Sequence, residues 1–309
     1  MSPSDQSSIL WLGKLTALRP AIGRGNTAGN APHKPLLLLC LIDLAEAGEL
    51  SSRTFTRTPG LGLRFRIFGT LVAERWPTRL ELRLPFFHLR SQGFWKAFSA
   101  DMRSATSPED TAVCELDPAF HALLAEADFR LKARMVLISR YFEPIERVAL
   151  FETLGIKGPS AGRTGAERML ATALEAAKRK GRSAKFQVRV VDDYRHTCAL
   201  TGYRCFTVTG ASIVDAAHIE CWAETQNDDV TNGLALSKNA HWMFDQRLWS
   251  ADDELRVLVN PRRFMEAGPE ALQLRSLAGR HLQFDPQSKL RPAMESLRKH
   301  RKRHIGVTF

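Results

Sequence analysis

The chain of 309 residues lacks most of what a secreted or membrane-bound protein needs. Its 5 cysteines, Cys40, Cys114, Cys198, Cys205 and Cys221, are odd in number, irregular in spacing and without a CxxC pair. That argues against a disulfide framework and leaves small core hydrophobes as their expected role, with zinc as the alternative for the three that crowd together, Cys198, Cys205 and Cys221. MSPSDQSS has no basic start, and Lys14 and Arg19 interrupt the first apolar stretch, so no signal peptide is expected. Leu36 to Ala47 is strongly apolar, but it is too short to span a bilayer and contains Asp43 and Glu46. A cytoplasmic protein with no membrane partner is the expectation. Acids are also in short supply, 33 against 44 lysines and arginines, for a formal net charge of +11. Such an excess favours a polyanionic partner, with a merely solvated basic surface as the bland reading.

The length suits two domains, each large enough to bury a core. GIKGPSAGRTG, Gly155 to Gly165, has the composition of a linker, which divides the chain into 1–154, a linker with a connecting helix at 155–182, and 183–309. Helical periodicity is expected over Ser7 to Leu18, from Pro35 to a stop at Gly48, over Phe65 to Trp76, and from Asp117-Pro118 to about Tyr141. Arg79, Glu81 and Arg83 alternate with Leu80, Leu82 and Leu84 as in a strand, and an aromatic segment follows whose Phe94, Trp95 and Phe98 are expected in the core. Ala166 to Lys180 and a segment from about Ala184 read as two helices. Strand-like LRVLV and helices near Ala271 and Pro292 close the chain. Arg298 to His304 is almost wholly basic, suited equally to phosphate and to plain solvation.

The stretch Ile213 to Trp249 carries polar residues at spacings that packing does not require. A β-branched run ends at His218, a turn-rich loop follows, Asn232-Gly233 suggests a tight turn, and His241 and Asp245 lie one helical turn apart on one face. His218 precedes Asn232 by fourteen residues and Asn232 precedes His241 by nine. With YRHTCALTG, DAAHI, NGLALSKNAHWMFD and LRKHRKR around it, this segment resembles the HNH nucleases of modification-dependent restriction enzymes, whose core is a hairpin and helix around one metal. The resemblance implies His218 as general base, Asn232 as the residue that holds the loop, and His241 with Asp245 as ligands of a divalent ion. Mg²⁺ or Mn²⁺ is expected, with Ni²⁺, Co²⁺ or Zn²⁺ as alternatives. Many such sequences place a ligand just before the base, where this chain has Ala217; Asp215, on the same strand face, is the candidate substitute. Taken singly, each of these residues has a bland role, and Asp245 would also suit Arg247 as a structural partner.

His33 and Lys34 begin the helix APHKPLLLL, where free N–H groups and the dipole favour an anion; on position alone they form a polar cap. APHKPLLLL and PFFHLRSQGFW together resemble the sulfur-binding domain of restriction proteins that recognise phosphorothioate DNA, over about Leu10 to Phe98. By that resemblance Leu84, Pro85 and His88 shape a sulfur pocket, while His33, Lys34 and Arg90 contact phosphate. Leu84 stands where the family has tyrosine. The chemistry is coherent: sulfur in place of a non-bridging oxygen keeps the charge but is larger and more weakly hydrated. An apolar cup therefore loses little by desolvating sulfur and strands an oxygen at a cost of ~1–3 kcal/mol.

The combined expectation is an α+β protein: an α-rich, winged-helix-like N-terminal domain followed by a ββα-metal (HNH) nuclease domain. Its expected partner is double-stranded DNA carrying phosphorothioate. A double-strand break from one HNH domain needs two protomers or two visits, so a homodimer is kept open. The alternatives are an HNH nuclease reading a modified base such as 5-methylcytosine, and a DNA-binding protein with an inactive HNH module.

Overall fold

The computed structural model describes residues 3–23, 25, 27, 29–78, 80–157, 167–207 and 211–304. It divides into two compact units, 1–184 with 208–211, and 185–207 with 212–309. The linker expected at 155–165 lies outside the described residues from 158 onward.

The first unit contains α1 (Pro3–Thr16), α2 (His33–Glu46), β1 (Thr54–Thr56), α3 (Pro59–Thr70), α4 (Arg83–His88), β2 (Trp95–Phe98), β3 (Val113–Leu116), α5 (Pro118–Leu123), α6 (Ala127–Tyr141) and α7 (Pro144–Thr153). Its antiparallel sheet runs β1-β3-β2. Helix α2 organises the core: Pro35 to Ile42 and Leu44 are all buried, against α3, α4 and α6. The two acids that interrupt its apolar run have a packing reason. Asp43 accepts from Arg64 Nε at 2.7 Å, and Glu46 from Arg134 Nη2 at 2.5 Å. Both arginines are almost fully buried, and each has a second, more distant acid: Glu49 lies 3.6 Å from Arg64 and Asp43 lies 3.6 Å from Arg134. Losing the nearer acid therefore weakens the pairing of a buried cation without abolishing it, and costs less than the roughly 3–5 kcal/mol of a fully broken buried pair.

Several expected boundaries move. Thr58 caps α3 through Leu61 N–H, and Pro59 fills its first turn, so this helix runs from 59 to 70 rather than 65 to 76. The alternating leucines after it form no strand. Leu84 N donates to Glu81 O in a turn that enters α4, where Pro85 sits in the first turn and needs no N–H partner; Arg79 lies outside the described residues. Residues 118–141 form two helices, because Arg130 Nη1 donates to the carbonyls of Leu124 and Ala125 and satisfies the end of α5.

Helix α8 (Glu167–Asp193) is continuous where two helices were expected. Gly181 does not break it. A Cβ there would lie 2.4 Å from Ala149 O, so this glycine exists to admit the backbone of α7.

The second unit contains the C-terminal part of α8, β4 (Val214–His218), α9 (Trp222–Thr225), β5 (Gly233–Ser237), α10 (Lys238–Asp245), β6 (Trp249–Ala251), β7 (Val257–Val259) and α11 (Met294–His304). β4 and β5 form an antiparallel hairpin in which His218 faces Gly233 and Asp215 faces Leu236. Asn232 ends a 3-10 turn and Gly233 opens β5 with extended backbone, in place of the tight turn expected at that pair. The helix expected near Ala271 is two 3-10 turns, Glu270–Leu272 and Leu274–Leu277. Among the described residues no helix is long and apolar enough to cross a membrane.

Candidate functional site

In the second unit His218 ends β4, and α10 brings His241 and Asp245 to the same region through the β5–α10 connection at Ser237. Ala240 and Phe244 anchor α10 inward: Trp249 Nε1 donates to Ala240 O at 3.1 Å, and Phe244 lies flat on His300 at 4.0 Å. The neighbouring positions 241 and 245 are then left partly or fully accessible. His241 Nε2 and Asp245 Oδ2 are 3.5 Å apart. Among the described residues Asp245 pairs with His241 and not with Arg247.

The ring of His218 is fixed on two sides. Phe186 stacks on it with centroids 4.0 Å apart and planes 7° from parallel. Its Nε2 lies 3.0 Å from Asp228 Oδ1. Burial pushes the imidazole below its ordinary value; Asp228 opposes that shift and His241 adds to it. The neutral ring is thus favoured near neutrality. Gly233, opposite His218, makes the stack sterically feasible, since a Cβ there would lie 2.5 Å from Val190 Cγ2 and 3.0 Å from Phe186 Cε2.

Asn232 is wholly buried. Its Oδ1 accepts from Glu220 N at 2.9 Å, and its Nδ2 donates to Asn227 O at 3.0 Å and to Glu220 O at 3.4 Å. Its side chain therefore ties the start of the 219–231 loop, at Glu220, to its middle, at Asn227, and among the described residues it hydrogen-bonds neither His218 nor His241. Asp215 is held by an ion pair with Lys238.

In the first unit His33 opens α2 with no side-chain cap, its ring edge-on to Trp76 at 5.5 Å. Burial brings its pKa down to about 4, against Glu81 and with help from His88. Lys34 Nζ donates to Arg19 O at 3.0 Å and to Ser91 Oγ at 3.2 Å. Burial, then Lys34 and Arg90, lowers His88 as well. Arg90 lies over Phe87 at 3.9 Å and donates to Ala105 O at 2.9 Å. Leu84 and Pro85 precede His88 by about one turn of α4, half-buried and buried respectively. His33, Lys34, His88 and Arg90 thus act on one another electrostatically. At neutral pH the two imidazoles are uncharged and the cations of the cluster are Lys34 and Arg90.

Two family models match the chain: "HNH endonuclease" over residues 198–252 and "ScoMcrA-like, DNA sulfur-binding domain" over residues 11–159. The chain carries an HNH endonuclease domain and a DNA sulfur-binding domain. A solved structure described as a modification dependent TagI restriction endonuclease matches with 22% identity and a TM-score of 0.31, spanning 40% of this chain and 38% of that one. No curated protein matches the chain.

The nuclease domain holds two features that spacing did not reveal, Asp228 and Phe186. An acid in the TQNDDVTN loop has no periodic signal, and Phe186 reaches His218 only because α8 passes over the hairpin. In the sulfur-binding domain, Trp76 and Ser91 were likewise missed. Cys198 is buried as expected, whereas Cys205 and Cys221 are exposed, which corrects their core assignment. Among the described residues no three His, Cys, Asp or Glu side chains are grouped to hold a metal, so a zinc cluster of cysteines has no geometric support. His241 and Asp245 fit a different kind of site, in which the protein supplies two ligands. Two donors bound to one ion at about 2.0–2.2 Å lie roughly 2.8–3.1 Å apart at a right angle and roughly 3.3–3.6 Å apart at a tetrahedral one; theirs are 3.5 Å apart, at the wide end of that range.

Proposed function

We propose that this chain is a type IV restriction endonuclease: its first domain recognises phosphorothioate-modified double-stranded DNA, and its HNH domain hydrolyses phosphodiester bonds. The observation that carries the reading is the joint presence of a sulfur-binding match over 11–159 and a nuclease match over 198–252 in one chain. The basic balance of +11 fits the polyanion.

His218 serves as general base, which its neutral, half-buried ring suits. Asn232 keeps the loop beside His218 in place. His241 and Asp245 hold a divalent ion, Mg²⁺ or Mn²⁺, and such an ion supplies charge neutralisation at the scissile phosphate. For Asp215 to join them, its ion pair with Lys238 has to open. In the first domain Pro85, Leu84 and His88 form the apolar side of the sulfur pocket. His33 contributes as a neutral hydrogen-bonding group, while Lys34 and Arg90 offer charge to phosphate. A single nuclease site per chain makes a homodimer the simplest route to a double-strand break. A DNA substrate inside the cell fits a cytoplasmic protein.

The test is a pair of titrations with one duplex, bearing or lacking a single phosphorothioate, alongside a 5-methylcytosine duplex. Tighter binding of the phosphorothioate duplex is expected. Equal affinity for sulfur and oxygen duplexes, with preference for the methylated one, would replace sulfur by a modified base as the recognised mark.

A further inference from the structure

Asp228 has no place in the roles described so far. Its carboxylate is only 11% exposed. Oδ1 contacts His218 Nε2 at 3.0 Å, and Oδ2 is buried without a hydrogen-bond partner among the described residues. Its neighbours are spent on the loop itself: Asn227 Oδ1 accepts from Asp229 N, and Asp229 Oδ1 accepts from Thr231 N. Asp228 alone of the three turns inward. A mostly buried carboxylate is an expensive way to pin a loop that Asn232 already ties at Glu220 and Asn227.

We propose that Asp228 is the positioning residue of His218: it accepts the Nε2–H, holds the ring proton on that nitrogen, and leaves Nδ1 as the unprotonated atom that receives the proton of the attacking water. This inference rests on the reading of His218 as general base. Stacking on Phe186 fixes the ring plane, and the bond to Asp228 fixes its rotation within that plane, so together they leave one orientation. Among the described residues Nδ1 has no hydrogen-bond partner, and the side chain is 21% exposed. In the step, water's oxygen forms a bond to phosphorus and its proton passes to Nδ1. The bond from phosphorus to the leaving oxygen breaks, and that oxygen takes a proton from solvent. The positive charge that appears on the ring then lies against the Asp228 carboxylate. His218 afterwards returns its extra proton to solvent. The groups that bear electrostatically on the ring are Asp228 and His241; Phe186, the contact from α8, is uncharged.

The experiment uses the full chain and combines imidazole ¹⁵N chemical shifts of His218 with single-turnover cleavage of a phosphorothioate duplex in saturating Mn²⁺. In the wild-type protein the shifts are expected to show protonated Nε2 and unprotonated Nδ1, a measurement that needs no variant to fold. Asp228→Asn keeps the shape; it is expected to disturb that tautomer and to lower the rate by ~10²- to 10⁴-fold with DNA affinity unchanged. Asp228→Glu is expected to recover part of the rate. A wild-type ring protonated on Nδ1, or a wild-type rate in Asp228→Asn, overturns the positioning role. His218→Ala run in parallel separates the two readings: a wild-type rate there removes the general-base reading itself, whereas an inactive His218→Ala beside a fully active Asp228→Asn removes only the role of Asp228.

Discussion

Asn232→Ala tests whether this residue acts as a clamp rather than at the chemistry. The buried amide makes two good hydrogen bonds, to Glu220 N at 2.9 Å and Asn227 O at 3.0 Å, and a longer one to Glu220 O at 3.4 Å. Truncation removes all three and leaves donors and acceptors at half-buried positions where water compensates only in part. At ~1–1.5 kcal/mol for each good bond plus part of the stranding cost, the loss comes to about 2–4 kcal/mol. Asn232→Asp is the sharper variant. It keeps an acceptor for Glu220 N–H but sets an oxygen against the carbonyls of Asn227 and Glu220, so at neutral pH it should be at least as damaging as alanine. Burial and those facing carbonyls raise the folded-state pKa of the new carboxyl above its unfolded value. The stability lost through ionisation should then return as pH falls through the folded value, because the protonated form donates again. Urea unfolding at two pH values gives the magnitudes, and hydrogen exchange over 219–232 gives the location. A cost under ~0.5 kcal/mol for Asn232→Ala with unchanged exchange at Glu220 would refute the clamp.

Three further outcomes are expected. The kcat/KM of cleavage, which reports the free enzyme, should fall on the acid side only below the ordinary histidine value of ~6.5, since burial lowers His218 and so keeps its base form at lower pH; an acid limb above ~6.5 in the kcat/KM profile contradicts the cause given for the shift. His241→Ala and Asp245→Ala should impair cleavage in a way that added Mn²⁺ partly offsets, more fully for Asp245; calorimetric titration with Mn²⁺ showing unchanged affinity in both variants would dismiss them as ligands. Pro85→Asp should abolish the preference for phosphorothioate while leaving salt-dependent binding, and Lys34→Ala should weaken modified and unmodified duplexes alike; selective loss of the modified duplex in Lys34→Ala would reverse those roles.

The residues legible in the sequence are those whose placement follows from local periodicity. His241 and Asp245 had to share a face once α10 formed, and the spacing of the loop set Asn232 at the mouth of β5. The α2 core was equally plain, because a helix apolar on every side has to be buried. Residues that depend on a third element were not legible. Gly181 looks like a helix breaker in one dimension and is a contact with Ala149 in three. The leucines at 80, 82 and 84 alternate as strands do, yet Pro85 directs them into a turn and a short helix.

The same distinction explains why Asp228 escaped notice while His218 did not. A base at the end of a strand is announced by the hairpin that holds it, because register alone puts His218 opposite Gly233. The group that sets the base's proton has no such requirement: any loop long enough to return can deliver a carboxylate, from any position along it. What locates Asp228 is the loop's closure by Asn232, which fixes where residues 227 and 228 come to rest. On the proposed role of Asp228, Asn232 would bear on catalysis only indirectly, by fixing the carboxylate that fixes the ring. On that argument the damage from Asn232→Ala to cleavage should exceed what its fraction of unfolded protein explains, and it should be accompanied by the same change in His218 nitrogen shifts that Asp228→Asn produces.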